Sequence, residues 1–152
     1  MELSELYRIA RNAEGWLLPL ATAPAEILIE KLRPRDEDYA AVFRGDAARL
    51  AREGYASLWT HPPTLGKATQ TRVTAFAAQA DAFATENEFS REFPGGYRKI
   101  ATQLQPDKVW LGWKMLEEVG ERGMSYDGLV WLRDHWAWFP KPWRVLSDPA
   151  TN

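Results

Sequence analysis

The C-terminal third of the chain contains three short runs that are mostly apolar. Residues 109–116 place Val109, Leu111, Trp113 and Met115 on one face of a strand, and residues 128–132 and 135–139 are rich in valine, tryptophan and phenylalanine with a short polar segment between them. β-Branched and aromatic residues are enriched in strands, and two such runs close together are typical of a hairpin. We therefore predict three strands, of which the last two form a tryptophan-rich hairpin.

The turn of this hairpin lacks the Asn-Gly or Asp-Gly pair that tight turns prefer, so its type stays open. Loops of Arg133-Asp134 or Asp134-His135 give the same two faces, whereas a three-residue loop would give different ones. These two faces are Leu129, Trp131, Trp136 and Trp138, and Val130, Leu132, Ala137 and Phe139. Both faces are apolar, whereas a sheet with one face in water alternates apolar and polar residues along each strand. We predict helices over one face, and core, a ligand pocket or a partner surface over the other.

Apolar residues in the rest of the chain mostly recur with helical spacing. Residues 36–53 form the clearest helix, with Asp36 as its N-cap and Gly54 at its end. The other predicted elements are a helix over residues 3–14 stopped by Gly15, a helix between Pro24 and Pro34, a strand over 69–78, helix or loop over 79–93, and a helix over 97–104. This order predicts an α+β fold with N-terminal helices packed on a curved, mainly antiparallel sheet. We assign residues 1–34 to a helical extension, or alternatively to the core, and residues 35–152 to a single domain.

The composition is that of an ordinary globular protein with little net charge. Of the 152 residues, 45% are hydrophobic and 26% are charged, and the net charge is −2 with a pI of about 5.7. The lack of a basic excess argues against nucleic acid as a partner. The chain has no cysteine, which excludes disulfides and cysteine-ligated zinc and fits a cytoplasmic protein. No run approaches the roughly 20 apolar residues of a membrane span, so we expect no membrane partner.

Three stretches follow one another in a suggestive order: the helix over residues 36–53 running into Tyr55-Ala-Ser-Leu-Trp59, the helix Gly96-Tyr-Arg-Lys-Ile-Ala-Thr-Gln-Leu104, and the closing Leu-Arg-Asp-His-Trp-Ala-Trp. This order resembles the nuclear-transport-factor-like cone fold, also called cystatin-like or ketosteroid-isomerase-like. The resemblance implies a curved sheet wrapped around a helix, often with an apolar pocket. Members include enzymes, ligand binders and interaction modules, so the resemblance fixes no function. The segments Tyr-Asp-Gly-Leu-Val-Trp and Trp-Phe-Pro-Lys-Pro-Trp-Arg look like a family of uncharacterised small bacterial proteins.

Residues that carry chemistry are few. His61 and His135 are the only histidines and lack metal-ligand spacing, so we predict no metal site and no cofactor. The best catalytic set combines Asp127, Arg133 and His135, with Tyr126 nearby. Asp127 and Arg133 share the face of the hairpin tryptophans, whereas His135 has the opposite parity and is expected to point away, which leaves Tyr126, Asp127 and Arg133 as the candidate catalytic residues. In ketosteroid isomerase, a tyrosine and a protonated aspartate in an apolar cavity stabilise an oxyanion beside an aspartate base. In the alternative interpretation, Asp127 is a turn residue and His135 a surface residue at a strand end.

The predicted binding residues are Trp131, Trp136, Trp138, Trp143 and Arg144. The prolines at 140 and 142 either block strand pairing at an edge or hold Trp143 and Arg144 in a rigid arm that meets a partner. Tryptophan is enriched at binding hot spots but is also a large core residue. Because no reactive set stands out, we expect a non-enzymatic protein-interaction module, such as an immunity-type inhibitor or an accessory subunit. The alternatives are a cone-fold pocket protein that binds or transforms a small apolar ligand, and a structural homodimer subunit.

Overall fold

The computed structural model describes residues 1–146, and residues 147–152, the end of the predicted domain, lie outside the described part. Within residues 1–146 the chain forms six α-helices and one four-stranded antiparallel sheet, which confirms the predicted α+β class. The helices are α1 (Leu3–Leu20), α2 (Ala25–Leu32), α3 (Asp38–Val42), α4 (Asp46–Tyr55), α5 (Gly96–Lys99) and α6 (Pro142–Leu146). The strands, in sheet order, are β1 (Gln70–Gln79), β2 (Val109–Glu117), β3 (Gly123–Trp131) and β4 (Trp136–Trp138). Short 3₁₀ turns lie at Ala56–Trp59, Ala80–Ala84, Ser90–Glu92 and Ala101–Gln103.

The hairpin of β3 and β4 has the register predicted for a two-residue Arg133-Asp134 loop. Trp131 pairs with Trp136 across the two strands. Arg133 adopts φ +71°, so an arginine takes the backbone conformation that asparagine or glycine usually supplies in such turns. Because the loop has two residues, the two faces predicted for the hairpin are correct.

Apolar cores lie on both faces of the sheet. On one face, which we call the α1–α2 face, the two N-terminal helices bury Leu17 and Leu28 against Trp113, Leu129 and Trp138. On the opposite face, α3, α4 and the segments between β1 and β2 enclose a group of rings that we call the aromatic cluster: Tyr39, Phe43, Phe83, Tyr97, Trp110 and Phe139. Burial of each large apolar side chain contributes roughly 2–3 kcal/mol, so both layers stabilise the fold.

Helix α1 continues through Gly15, although the sequence pattern predicts that it stops there. Gly15 is exposed, and a glycine inside a helix costs up to about 1 kcal/mol relative to alanine. The last turns of α1 bury Leu17 and Leu20. Burial of two leucines outweighs the cost of one glycine, which is why the helix extends to residue 20.

The long helix predicted over residues 36–53 is broken into α3 and α4. Gly45 has φ +52°, outside the helical region, and marks the break. Just before it, Phe43 leaves the helix and forms an isolated β-bridge with Leu104. The helix predicted over residues 97–104 is also shorter, because α5 ends early and a 3₁₀ turn follows. In both places the residue that joins the bridge, Phe43 or Leu104, has extended backbone where the sequence pattern predicts helix.

The outer edge of β1 is partly closed by side chains of α1. The N–H of Ala75 donates to Glu14 Oε2 at 2.8 Å, and the Ala75 carbonyl accepts a hydrogen bond from the Arg11 guanidinium. Arg11 and Glu14 form an ion pair with each other at 3.0 Å. Both backbone groups of an edge-strand residue are therefore satisfied without another strand.

Candidate functional site

A β-bulge at Gly128 sets the direction of the Asp127 side chain. Leu111 of β2 pairs with Leu129 of β3, but Gly112 pairs with Asp127, so Gly128 is an extra residue in β3. Gly128 has φ +99°, which side-chain-bearing residues rarely adopt. The extra residue shifts the alternation by one position and turns Asp127 toward the aromatic cluster. The predicted placement of Asp127 on the tryptophan face is therefore wrong.

The same shift places Tyr126 on the α1–α2 face. Its ring stacks on Trp113, with the ring centroids 5.6 Å apart and the planes at 17°. Its hydroxyl lies 3.6 Å from Met124 Sδ. Strand β4 pairs with β3 only over residues 129–131, so the preceding part of β3 carries no further strand on that side within residues 1–146. Tyr126 and Asp127 both lie along this open side, although their side chains point to opposite faces of the sheet.

Asp127 is a buried carboxyl group with two hydrogen-bond donors on one of its oxygens. The Tyr97 hydroxyl donates to Asp127 Oδ1 at 2.6 Å, and the backbone N–H of Lys141 donates to the same atom at 3.0 Å. Within residues 1–146, no hydrogen bond reaches Oδ2. The Trp138 indole N–H donates to the backbone carbonyl of Asp127 at 2.9 Å, which fixes the main chain as well.

Burial dominates the electrostatics of Asp127. Desolvation raises the pKa of this carboxyl above its usual value, although the hydrogen bonds from Tyr97 and Lys141 and the charges of Lys141 and Arg144 oppose the rise. Burial also raises the pKa of the Tyr97 hydroxyl well above 10, and the neighbouring Asp127 charge raises it further. Tyr97 therefore remains a proton donor in its bond to Asp127.

A cleft of about 420 Å³ opens beside Asp127. Its apolar wall consists of Tyr55, Leu58, Pro63, Met124, Tyr126, Trp138, Pro140 and Val145. Its polar and charged lining consists of Ser57, Thr64, Ser125, Asp127, Lys141 and Arg144, with Gly54 completing the wall. Both the volume and the mainly apolar wall with a few polar groups are typical of small-molecule sites.

The segment after the hairpin forms one side of the cleft. Lys141 has φ +48° and directs its N–H to Asp127, and Pro142 then begins α6. The Tyr55 hydroxyl donates to the Pro140 carbonyl at 2.8 Å, which fastens this segment to α4. The side chains of Lys141 and Arg144 are exposed, and neither forms an ion pair with another residue of the described chain.

The cleft brings together four of the predicted site residues: Tyr126, Asp127, Trp138 and Arg144. Arg133 is exposed at the hairpin turn and does not line the cleft. Trp143 is half-buried, lies over Gly96 and contacts the Tyr97 ring at 5.3 Å between centroids. Tyr55 and Tyr97 belong to the site although the sequence pattern marks them only as apolar positions of helices. No sequence signal links either tyrosine to Asp127.

Trp131 and Trp136 belong to a different surface. Trp136 lies 5.2 Å from Trp131 and 5.4 Å from Trp16 between ring centroids, and all three side chains are half-buried. We call these three residues the tryptophan patch. Trp110 and Trp113, in contrast, are fully buried, and their indole N–H groups have no hydrogen-bond partner within residues 1–146. The tryptophans thus divide into core residues and a partly exposed group.

His135 bridges two carboxylates, although the sequence suggests a surface residue at a strand end. Its Nε2 lies 2.8 Å from Asp38 Oδ2, and its Nδ1 lies 2.6 Å from Asp134 Oδ1. Asp38 is buried and also accepts the Arg35 N–H at 2.7 Å. Partial burial alone would lower the pKa of His135, but the bonds to Asp134 and Asp38 reverse this and leave it raised. Ionised carboxylates only accept hydrogen bonds, so this geometry favours the doubly protonated imidazolium.

Residues 1–146 contain no group of three or more histidine, aspartate or glutamate side chains placed to hold a metal ion. None of the helices in this part of the chain is long and apolar enough to span a membrane. The chain matches no protein-family model, no curated protein and no solved structure.

Proposed function

We propose that the protein binds a small organic molecule in the cleft beside Asp127. The observation that carries this proposal is a buried carboxyl group on the wall of an open, mainly apolar cleft, with one oxygen held by Tyr97 and Lys141. Burying a carboxyl group costs free energy that an apolar residue of the same size would not. Acids with burial-raised pKa values in clefts are enriched at functional sites, which supports binding here.

In this proposal Asp127 supplies polar recognition and the rings supply affinity. The oxygen Oδ2, which no described residue binds, is the atom available to exchange a hydrogen bond with the ligand. The rings of Tyr55 and Trp138 are only 3% and 2% exposed and give the cleft a rigid base. The more exposed side chains of Met124 and Tyr126 supply most of the apolar contact surface. Should the bound molecule be transformed, Asp127 is the group placed to take or give a proton.

The test uses variants that fill the cleft without disturbing the core. Ser57 and Thr64 are exposed residues of its wall, so Ser57→Trp and Thr64→Trp should occupy the space that a ligand needs. Thr102→Trp is the matched control, because Thr102 is also exposed and lies outside the cleft. A library of small organic molecules is screened by ligand-observed NMR against all four proteins. Molecules that bind the wild type and Thr102→Trp should lose binding to both cleft variants; equal binding to all four would overturn the proposal.

A second candidate function is the protein-interaction module that the sequence favours. The observation in its support is the tryptophan patch, where Trp16, Trp131 and Trp136 form a continuous, half-exposed aromatic surface. In this interpretation the chain is an immunity-type inhibitor or accessory subunit of the cytoplasm, and its protein partner binds this surface. In the homodimer alternative, a second copy of the chain binds there. Trp131→Ser should then release a co-purifying partner or convert a dimer to a monomer in analytical ultracentrifugation. Unchanged assembly would remove this candidate.

A further inference from the structure

The charged residues of the cleft are arranged asymmetrically, and this arrangement indicates the class of ligand. We propose that the cleft binds an organic anion with a flat apolar body, whose carboxylate or sulfonate group is held by Lys141 and Arg144. The inference rests on the proposed function and adds the chemistry of the ligand. It depends on three observations: the sign of the charges at the rim, the state of the single acid, and the nature of the wall.

Among residues 1–146, the lining of the cleft contains two exposed cations and no exposed acid. Lys141 and Arg144 both line it and both are exposed, whereas the acid that this part of the chain contributes is the buried Asp127. Neither cation is neutralised by an ion pair with a residue in positions 1–146. A guanidinium and an ammonium on one side of an apolar cleft form a site for a carboxylate or sulfonate, because charge-assisted hydrogen bonds to such groups are short and strong.

The acid in the wall does not favour a cation in its place. Asp127 Oδ1 already accepts hydrogen bonds from Tyr97 and from the Lys141 backbone, so half of its accepting capacity is used within the protein. An ammonium ligand would also approach the charges of Lys141 and Arg144, which oppose it. The remaining oxygen of Asp127 suits a neutral donor on the ligand, such as a hydroxyl group, at a distance from the anionic end.

The rest of the lining contains rings and rigid apolar residues. The Tyr126 ring is partly exposed to the cleft and is held by stacking on Trp113, whereas Tyr55 and Trp138, at 3% and 2% exposure, are fixed in the two cores. Pro63 and Pro140 add flat, rigid edges. A wall of this kind favours a planar apolar body over a flexible chain, because planar groups make close contact with rings at a low cost in conformational entropy.

The experiment compares three molecules of the same shape and different charge. Isothermal titration calorimetry measures binding of 2-naphthoate, the neutral 2-naphthamide and the cationic 2-naphthylmethylamine to the wild-type protein. Naphthoate should bind about tenfold or more tightly than naphthamide, and the amine should bind most weakly. Raising NaCl from about 0.02 M to about 0.5 M should weaken naphthoate binding and leave naphthamide binding unchanged.

Charge-removing variants locate the effect. Arg144→Gln and Lys141→Gln should each lower the affinity for naphthoate about tenfold and leave naphthamide unaffected. Lys31→Gln is the matched control, because Lys31 is an exposed cation of α2 outside the cleft, and it should change neither. Equal affinities for all three molecules, with binding still blocked in Ser57→Trp, would overturn the inference and leave the proposed function intact. Failure of all three to bind, together with no hits in the library screen, would overturn both.

Discussion

Replacement of Gly128 by alanine should disrupt the local geometry on which the cleft depends. The backbone at this position has φ +99°, and a Cβ atom there would lie 2.3 Å from the Phe139 carbonyl oxygen. The Gly128 carbonyl also accepts the Phe139 N–H at 2.7 Å, so a shift of either segment weakens this bond. We expect Gly128→Ala to destabilise the protein and to displace the Asp127 side chain.

The magnitude follows from two contributions. An alanine in the left-handed region costs about 1–2 kcal/mol relative to glycine, because its Cβ crowds the adjacent backbone. The collision with a backbone carbonyl and the weakened buried hydrogen bond add about 1–2 kcal/mol. The total is about 2–4 kcal/mol, which for a chain of this length lowers Tm by roughly 6–12 °C.

The free energy of unfolding is measured by urea titration, with tryptophan fluorescence as the signal. Two other glycines serve as matched controls in this assay. Gly120 has φ +84° but no atom within 4 Å of an added Cβ, so Gly120→Ala should cost only about 1–2 kcal/mol. Gly15 lies in α1 and also has open space, so Gly15→Ala should stabilise by up to about 1 kcal/mol. If Gly128→Ala cost no more than Gly120→Ala, the close contact with Phe139 would not be a structural constraint, and the reasoning would fail.

Two further changes test the buried polar groups. Tyr97→Phe removes the hydroxyl that donates to Asp127. It should lower the free energy of unfolding, measured by urea titration at pH 7, by about 1.5–3 kcal/mol. A change below about 0.5 kcal/mol would contradict a strong hydrogen bond. His135, with its raised pKa between Asp38 and Asp134, should stabilise the wild type relative to His135→Gln fully below about pH 6.5, and this advantage should fade as pH rises through the raised pKa. Unfolding midpoints measured from about pH 5.5 to about pH 8.5 check this, and a stability difference independent of pH would refute the imidazolium.

The sequence predicts the hairpin faces well because two runs rich in β-branched and aromatic residues flank a short polar turn, and side chains alternate between the two faces of a strand. The same reasoning fails one residue upstream, where Gly128 is the extra residue of a bulge. A glycine at a strand start is equally typical of a turn, and a single inserted residue reverses the facing of everything before it. The faces to which Tyr126 and Asp127 point therefore depend on the bulge at Gly128, which the pattern of apolar and polar side chains does not reveal.

The helix predictions fail for a related reason. Gly15 and Gly45 look alike in the sequence, since each interrupts an apolar pattern with helical spacing. The chain continues through the first because leucines beyond it reach the core, and it breaks at the second because Phe43 pairs with Leu104, about sixty residues away. The spacing of apolar residues within one segment does not reveal a pairing partner so distant in the sequence. The cleft is similar: its C-terminal residues could be predicted, whereas the contributions of α4 and of residues 57–64 arise only from tertiary packing.

The Arg11 and Glu14 side chains that bind Ala75 also bear on the association of one molecule with another. A sheet that ends in an unpaired strand can recruit the same strand of another molecule, and this addition can repeat without limit. Here the middle of β1 offers neither a donor nor an acceptor at Ala75, because α1 has taken both. A chain that lost α1 would present a bare strand edge beside the apolar surface of Trp113 and Leu129. The helix that completes one core should thus also oppose the pairing of β1 with a strand of another molecule at Ala75.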